Sequence, residues 1–262
     1  MGVGTGTSTN QPFTNGADFP TKNNSMQSKS SKSVEPTATR SNPTALIFDF
    51  DGLICDTEGC LLSAAERVFN RYQVKFPFEK WLDVVGTASP PNFWVPWLQE
   101  GTDSPVDEIA AIAEFDEYNT AAIEHLRPNA GVVELLDLAQ CHDIALGVAS
   151  SSSIGWVGRL LDQLGLGERF SQIVTRGDVR RAKPAPDLYL LAAKNFGSNP
   201  AHCIALEDSR NGSLAALRAG MPVVVVPNEL TKHQDLSHAT HCAPSLLDVT
   251  LDVLRDIRRR NN

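Results

Sequence analysis

No stretch of this 262-residue chain approaches the eighteen or more consecutive apolar residues of a membrane-spanning helix, and the N-terminus lacks the apolar core of a secretory signal. Cysteine is scarce: Cys55, Cys60, Cys141, Cys203 and Cys242 are odd in number and form no C-x-x-C pair, which argues against a disulfide framework or a zinc knuckle. Most lie inside or beside apolar runs and read as buried thiols of a reducing, cytoplasmic compartment. Positive charge is in the minority, 23 Lys and Arg against 31 Asp and Glu, a net of −8, with no basic stripe beyond Arg258, Arg259 and Arg260. A chain of that sign repels phosphate backbones and anionic lipid, so neither nucleic acid nor a membrane surface is expected as partner. The six histidines show no metal-ligand spacing, and no chemistry is assigned to them. Met1-Gly2 fails as a myristoylation signal because position 6 is Gly6.

What is present is ordinary globular material, 42% hydrophobic and 21% charged, long enough for a monomer to bury a core without disulfides or metals. Residues 1–43 are the exception. Ser, Thr, Asn and Gly dominate there, and a segment so poor in large aliphatics cannot offset its ordering entropy, so a disordered tail is expected. Its few acids (Asp18, Glu35) and several bases (Lys22, Lys29, Lys32, Arg40) leave organelle targeting as the alternative to an untargeted tail.

From Ala45 the texture changes. Ala45-Leu46-Ile47-Phe48 predicts a buried strand ending on Asp49-Phe50-Asp51-Gly52, and further strands are predicted at 144–149, 203–206 and 222–226. Helical patterns occupy 131–141, 154–164, 187–196 and 212–219, the last stopped by Gly220. This alternation predicts a doubly wound α/β core, a parallel sheet with helices on both faces. Between the first strand and Gly131 the pattern is helical only, at 58–72, 78–84 and 105–126. The expected division is a core of 45–57 and 128–262 interrupted by a helical cap of about 58–127.

In an open parallel sheet, functional groups gather beyond the carboxyl ends of the strands. The residues that follow the predicted strands are Asp49 and Asp51, then Ser150, then Glu207 and Asp208. Four converging carboxylates would raise one another's pKa values unless a cation neutralised them, and hard oxygen donors point to Mg²⁺.

The segment Asp49-Phe50-Asp51-Gly52-Leu53-Ile54-Cys55-Asp56-Thr57 resembles the first motif of the haloacid dehalogenase superfamily of phosphotransferases. The others follow in order: Ser150, Lys183-Pro184, and Glu207-Asp208-Ser209. The run Glu207-Asp208-Ser209-Arg210-Asn211-Gly212 and the inserted cap are most similar to the β-phosphoglucomutase-like branch. The resemblance implies a Rossmann-like core, with Asp49 as nucleophile and Asp51 as general acid and base. It makes Gly52, Ser150, Ser151 and Lys183 the phosphoryl-binding set. The metal would be held by Asp49, the main-chain carbonyl of Asp51, Glu207 and Asp208. A strand-end or turn role for the aspartates, N-capping for Asp208, Ser152 or Ser153, and a packed thiol at Cys55 are the plainer readings of the same residues.

The cap decides the substrate. In β-phosphoglucomutases an arginine after a cap glycine grips the far phosphate and a histidine in the first cap helix gates the nucleophile. Here stand Gly86-Thr87-Ala88-Ser89-Pro90 and Gly59-Cys60-Leu61-Leu62, with neither cation. That favours a phosphomonoester hydrolase acting on a small phosphorylated metabolite such as a sugar phosphate. A phosphosugar mutase and a non-catalytic phosphate-ester-binding module are the alternatives. A dehalogenase or phosphonate hydrolase fits Asp51, Glu207 and Asp208 poorly. Trp81, Phe93, Trp94 and Trp97 form either the cap's own core or a lid face over the substrate, with Thr87, Ser89 and Asn92 as candidate polar contacts.

Overall fold

In a computed structural model, which describes residues 1–2, 42–85, 90 and 92–261, strand β1 (Ala45–Phe48) is buried along its whole length. Four consecutive buried side chains require cover on both faces of a sheet, and that is what surrounds them. Strands β2 (Ala145–Ala149) and β4 (Cys203–Glu207) flank β1 in parallel register, Phe48 opposite both Val148 and Leu206. With β3 (Gln172–Val174), β5 (Val223–Val225) and β6 (His241–Cys242) the sheet has the order β3-β2-β1-β4-β5-β6, parallel throughout.

The two-residue period of β1 sorts its side chains to opposite faces. Leu46 and Phe48 join one apolar cluster with α5 (Val132–Cys141), α6 (Ile154–Gln163) and α9 (Leu251–Arg260). Ala45 and Ile47 join another with α7 (Asp187–Asn195) and α8 (Arg210–Arg218). This is the doubly wound arrangement expected from the sequence.

Between β1 and α5 lie α1 (Thr57–Arg71), α2 (Phe78–Leu82), α3 (Val95–Glu100) and α4 (Glu108–Ile123), the inserted α-helical cap. They close around their own cluster, in which Phe69, Trp81, Trp94 and Leu98 are buried. Ring contacts run through it, with Trp81 and Phe93 at 5.2 Å and Trp94 and Phe115 at 5.1 Å between centroids. Asn129, on the second crossover between cap and core, donates to the carbonyls of Gly52 (3.0 Å) and Leu53 (2.9 Å) on the first.

The expectations are corrected in several places. Strands β3 and β6 and helices α3 and α9 were not anticipated. The strands are too short to show a period, and α9 carries three terminal arginines that mask its apolar face. The predicted helix 105–126 shortens to α4 because the side chain of Asp107 caps it by accepting from Ala110 N–H. Helix α8 starts two residues early because Ser209, and not Asp208, is its N-cap. Cys55 and Cys203 are buried, but Cys60 is only partly so and Cys141 and Cys242 are exposed, against the expectation for cysteine. The predicted tail lies almost wholly outside the described residues, as do Thr87 and Ser89. No helix among the described residues is long and apolar enough to cross a membrane.

Candidate active site

The strand order reverses between β1 and β4, so a crevice opens at their carboxyl ends, where a doubly wound sheet places its ligands. Asp49 is the first residue past β1, and its N–H extends the ladder to Leu206 O at 2.8 Å. Glu207 ends β4 and Asp208 follows it. Pairing of these two strands brings the three carboxylates together: one oxygen from each of Asp49, Glu207 and Asp208 lies within 4.8 Å of the others, all buried.

Lys183 supplies the cation of this group. It is 4% exposed, and its Nζ donates to Asp49 Oδ1 and, at 2.6 Å, to Glu207 Oε1. Tyr189 Oη also donates to Glu207 Oε1 at 2.6 Å, and Ser209 Oγ to Glu207 Oε2 at 3.2 Å. Asn228 Nδ2 donates to Asp208 Oδ2 at 2.7 Å. Burial pushes the Asp49 carboxyl well above the usual carboxylate range, with Lys183 opposing and Glu207 and Asp51 adding to the rise. Asp208 is raised for the same first reason, burial, and then by its carboxylate neighbours Asp49 and Glu207. For Lys183 burial acts to lower the pKa, but the carboxylates of Asp49 and Glu207 outweigh it and hold the ammonium above its ordinary value.

Three carboxylates against one ammonium leave two negative charges in a buried, all-oxygen site when all are ionised. A divalent, oxygen-seeking cation is the group such a donor set fits. The Asp51 carboxylate is not one of the three, and the only metal role expected of Asp51 is through its main-chain carbonyl.

Asp51 has a different surrounding. Oδ1 accepts from Thr57 Oγ1 (2.8 Å) and Trp156 Nε1 (2.8 Å), and Oδ2 from Ser152 Oγ (2.7 Å) and Ser150 Oγ (3.2 Å). Ser150 therefore turns its hydroxyl toward Asp51, and Ser152 does the same instead of capping a helix. The N-cap of α6 is Ser153, whose Oγ accepts from Trp156 N–H. Ser151 Oγ is buried without a partner on the wall of the cavity above Asp49, a place for a ligand atom. Gly52 has φ +85°, and a Cβ there would lie 2.4 Å from Asp208 Oδ2, so glycine is what lets the backbone turn past the acidic cluster.

That cavity measures about 430 Å³ and is shared by core and cap: Asp49, Asp51, Ser151 and Arg176 below, Glu58, Trp81, Asn92, Phe93 and Trp94 above. The cap aromatics thus serve as cap core and as cavity wall at once. A larger cavity of about 640 Å³ lies beside the crossovers and touches Gly52, Asn129 and Asn228, but its lining includes none of the three clustered carboxylates. The smaller one reaches the cluster, at Asp49.

The haloacid dehalogenase-like hydrolase family matches residues 46–226, the span that carries this cluster. The chain belongs to that family. It is 39% identical over 212 residues to YhcW of Bacillus subtilis, covering 81% of this chain and 96% of that one. It is 32% identical over 186 residues to the fructose-1-phosphate phosphatase YqaB of Escherichia coli, covering 69% and 95%. Among solved structures it is similar to CbbY of Rhodobacter sphaeroides in complex with phosphate. That likeness has a TM-score of 0.66 at 26% identity over 82% of this chain and 99% of the other. The fold is also that of a Clostridium difficile β-phosphoglucomutase, TM-score 0.67 at 22% identity over 83% and 98%. Its relatives YhcW and YqaB in the superfamily are named phosphatases, and its structural neighbours include CbbY and β-phosphoglucomutase proteins.

Sequence reasoning missed Tyr189, Asn228, Asn129 and Trp156. Each comes from an element remote from the motif it supports, so no local pattern points to it. Thr57 closes the quoted first motif and Ser152 lies in the serine run, but their attachment to Asp51 follows only from the folded chain.

Proposed function

We propose that the protein is a Mg²⁺-dependent phosphomonoester hydrolase working through an aspartyl-phosphate on a small phosphorylated metabolite such as a sugar phosphate. The observation that carries this reading is the buried Asp49–Lys183–Glu207–Asp208 cluster lying beside a separately held Asp51. Asp49, Glu207, Asp208 and the Asp51 carbonyl would hold the ion, which supplies positive charge to the phosphoryl oxygens.

Asp49 attacks phosphorus, forming an O–P bond as the ester P–O bond breaks. Asp51 gives its proton to the departing alkoxide. It then takes one from the water that attacks the aspartyl-phosphate, freeing inorganic phosphate and restoring Asp49. Lys183, fixed by Glu207, neutralises the entering charge beside Asp49. Ser150, Ser151 and the main chain at Gly52 bind the phosphoryl group.

Hydrolysis is favoured over mutase chemistry because the cavity is poor in cations. Leu61 lines it, Arg176 is its one basic residue among those described, and the sequence of 86–91 contains no basic side chain. A cap spanning about 58–127 on a core of 45–57 and 128–262 is supported by the separate aromatic cluster of the helical segment. Five free cysteines suit a cytoplasmic site of action.

The test is phosphate release from a panel of small esters with Mg²⁺ and with EDTA. The panel includes β-glucose 1-phosphate with a trace of the 1,6-bisphosphate. Release that needs the metal and is lost in Asp49→Asn is expected. Glucose 6-phosphate formed without release would give the mutase reading the site instead.

A further inference from the structure

Asp51 is gripped by four donors, and one of them is unlike the rest. Trp156 lies in the first turn of α6, where a helical side chain leans back toward the N-terminus. This carries its indole Nε1–H to 2.8 Å from Asp51 Oδ1, while the ring forms part of the cavity wall and packs beneath the guanidinium of Arg159. The hydroxyls of Thr57, Ser150 and Ser152 can reverse and accept a hydrogen bond; an indole N–H can only donate. We propose that Trp156 is a positioning residue for Asp51. Its N–H keeps Oδ1 an acceptor whatever the charge of the acid, so that Oδ2 is the oxygen that carries the proton, and its ring sets where the leaving group lies against that acid.

The inference rests on the phosphatase reading in that Asp51 is taken as the acid. The proton path balances within it. The Oδ2 proton passes to the ester oxygen as the P–O bond breaks, and Oδ2 regains one from the attacking water. Ser152, at 2.7 Å from Oδ2, steadies that oxygen in either state.

Trp156→Phe keeps an aromatic ring at the position and removes the N–H. In a reaction through a covalent enzyme intermediate, kcat/KM reports only steps up to departure of the leaving group, which isolates the acid role. With 2-glycerol phosphate, whose alkoxide needs a proton, kcat/KM should fall about tenfold or more. With p-nitrophenyl phosphate, whose leaving group does not, it should change less than about twofold. A residue that merely supports the fold would lower both alike. Equal losses on the two esters, or none on the alkyl ester, overturn the proposal.

A second readout needs no turnover. In ¹⁵N-tryptophan-labelled protein the indole resonance missing from Trp156→Phe should shift in Asp51→Asn. An unmoved resonance also overturns the proposal. If the wild type released phosphate from neither ester, the phosphatase reading would fail on its own account. The resonance would then decide whether Trp156 holds Asp51.

Discussion

Lys183 is the residue on which the acidic cluster turns. Among the described residues it is the one ammonium bonded to Asp49 and Glu207, and removing the partner of a buried charge costs about 3–5 kcal/mol because the remaining charge is left unpaired. Lys183→Met should therefore lose activity and lower stability together, by roughly that amount, in urea unfolding of the metal-free protein. A variant as stable as wild type would mean that the carboxylates simply take up protons instead. At this scale much of the site was legible in advance. Asp49, Ser150, Lys183, Glu207 and Asp208 each follow a strand or precede a proline in the primary structure. The partners of Asp51 were not legible, because Thr57, Ser152 and Trp156 belong to two different helices' beginnings that meet only when β1 and β2 pair.

At the scale of elements, α8 shows how a helix is fitted to a charge. Its third residue is Gly212, and a Cβ there would lie 1.9 Å from Glu207 Oε1, inside any permissible contact. Glycine in a helix is ordinarily a weakness, and replacement by alanine stabilises an unconstrained helix by about 1 kcal/mol. Here Gly212→Ala should do the opposite. A lower melting temperature and reduced turnover are the expected outcome, since either α8 or the Glu207 carboxylate must move. A higher melting temperature would show that the helix start relaxes freely. The elements whose apolar pattern is long, β1, α5 and α6, stand within a residue of their expected bounds. Those that failed were short, as β3, β6 and α3 are, or rich in charge, as α9 is.

At the scale of the whole molecule, the acidic cluster links folding to metal and to pH. Burial raises the pKa of Asp49 and of Asp208 above their unfolded values. In the metal-free protein their contribution to stability is thus present in full below the unfolded pKa and is lost as pH rises through the folded one. A divalent cation requires the ionised carboxylates and reverses the balance. The rise in melting temperature on adding Mg²⁺ should accordingly be larger at about pH 8 than at about pH 5, by differential scanning calorimetry with and without EDTA. A rise independent of pH would place the ion away from these carboxylates.

The sequence by itself determined the class of the core, the helical insertion after the first strand and the carboxylates that gather at the strand ends. Apolar period and strand-end position are local properties, and the motif order survives any arrangement of the cap. Only the tertiary structure decided how Asp51 is held, that Glu207 is bound by Lys183 and Tyr189, and that the cap aromatics line the cavity above Asp49. The hydrogen bonds among them join residues up to 105 positions apart, set by sheet order and helix packing, and no spacing along the chain encodes them.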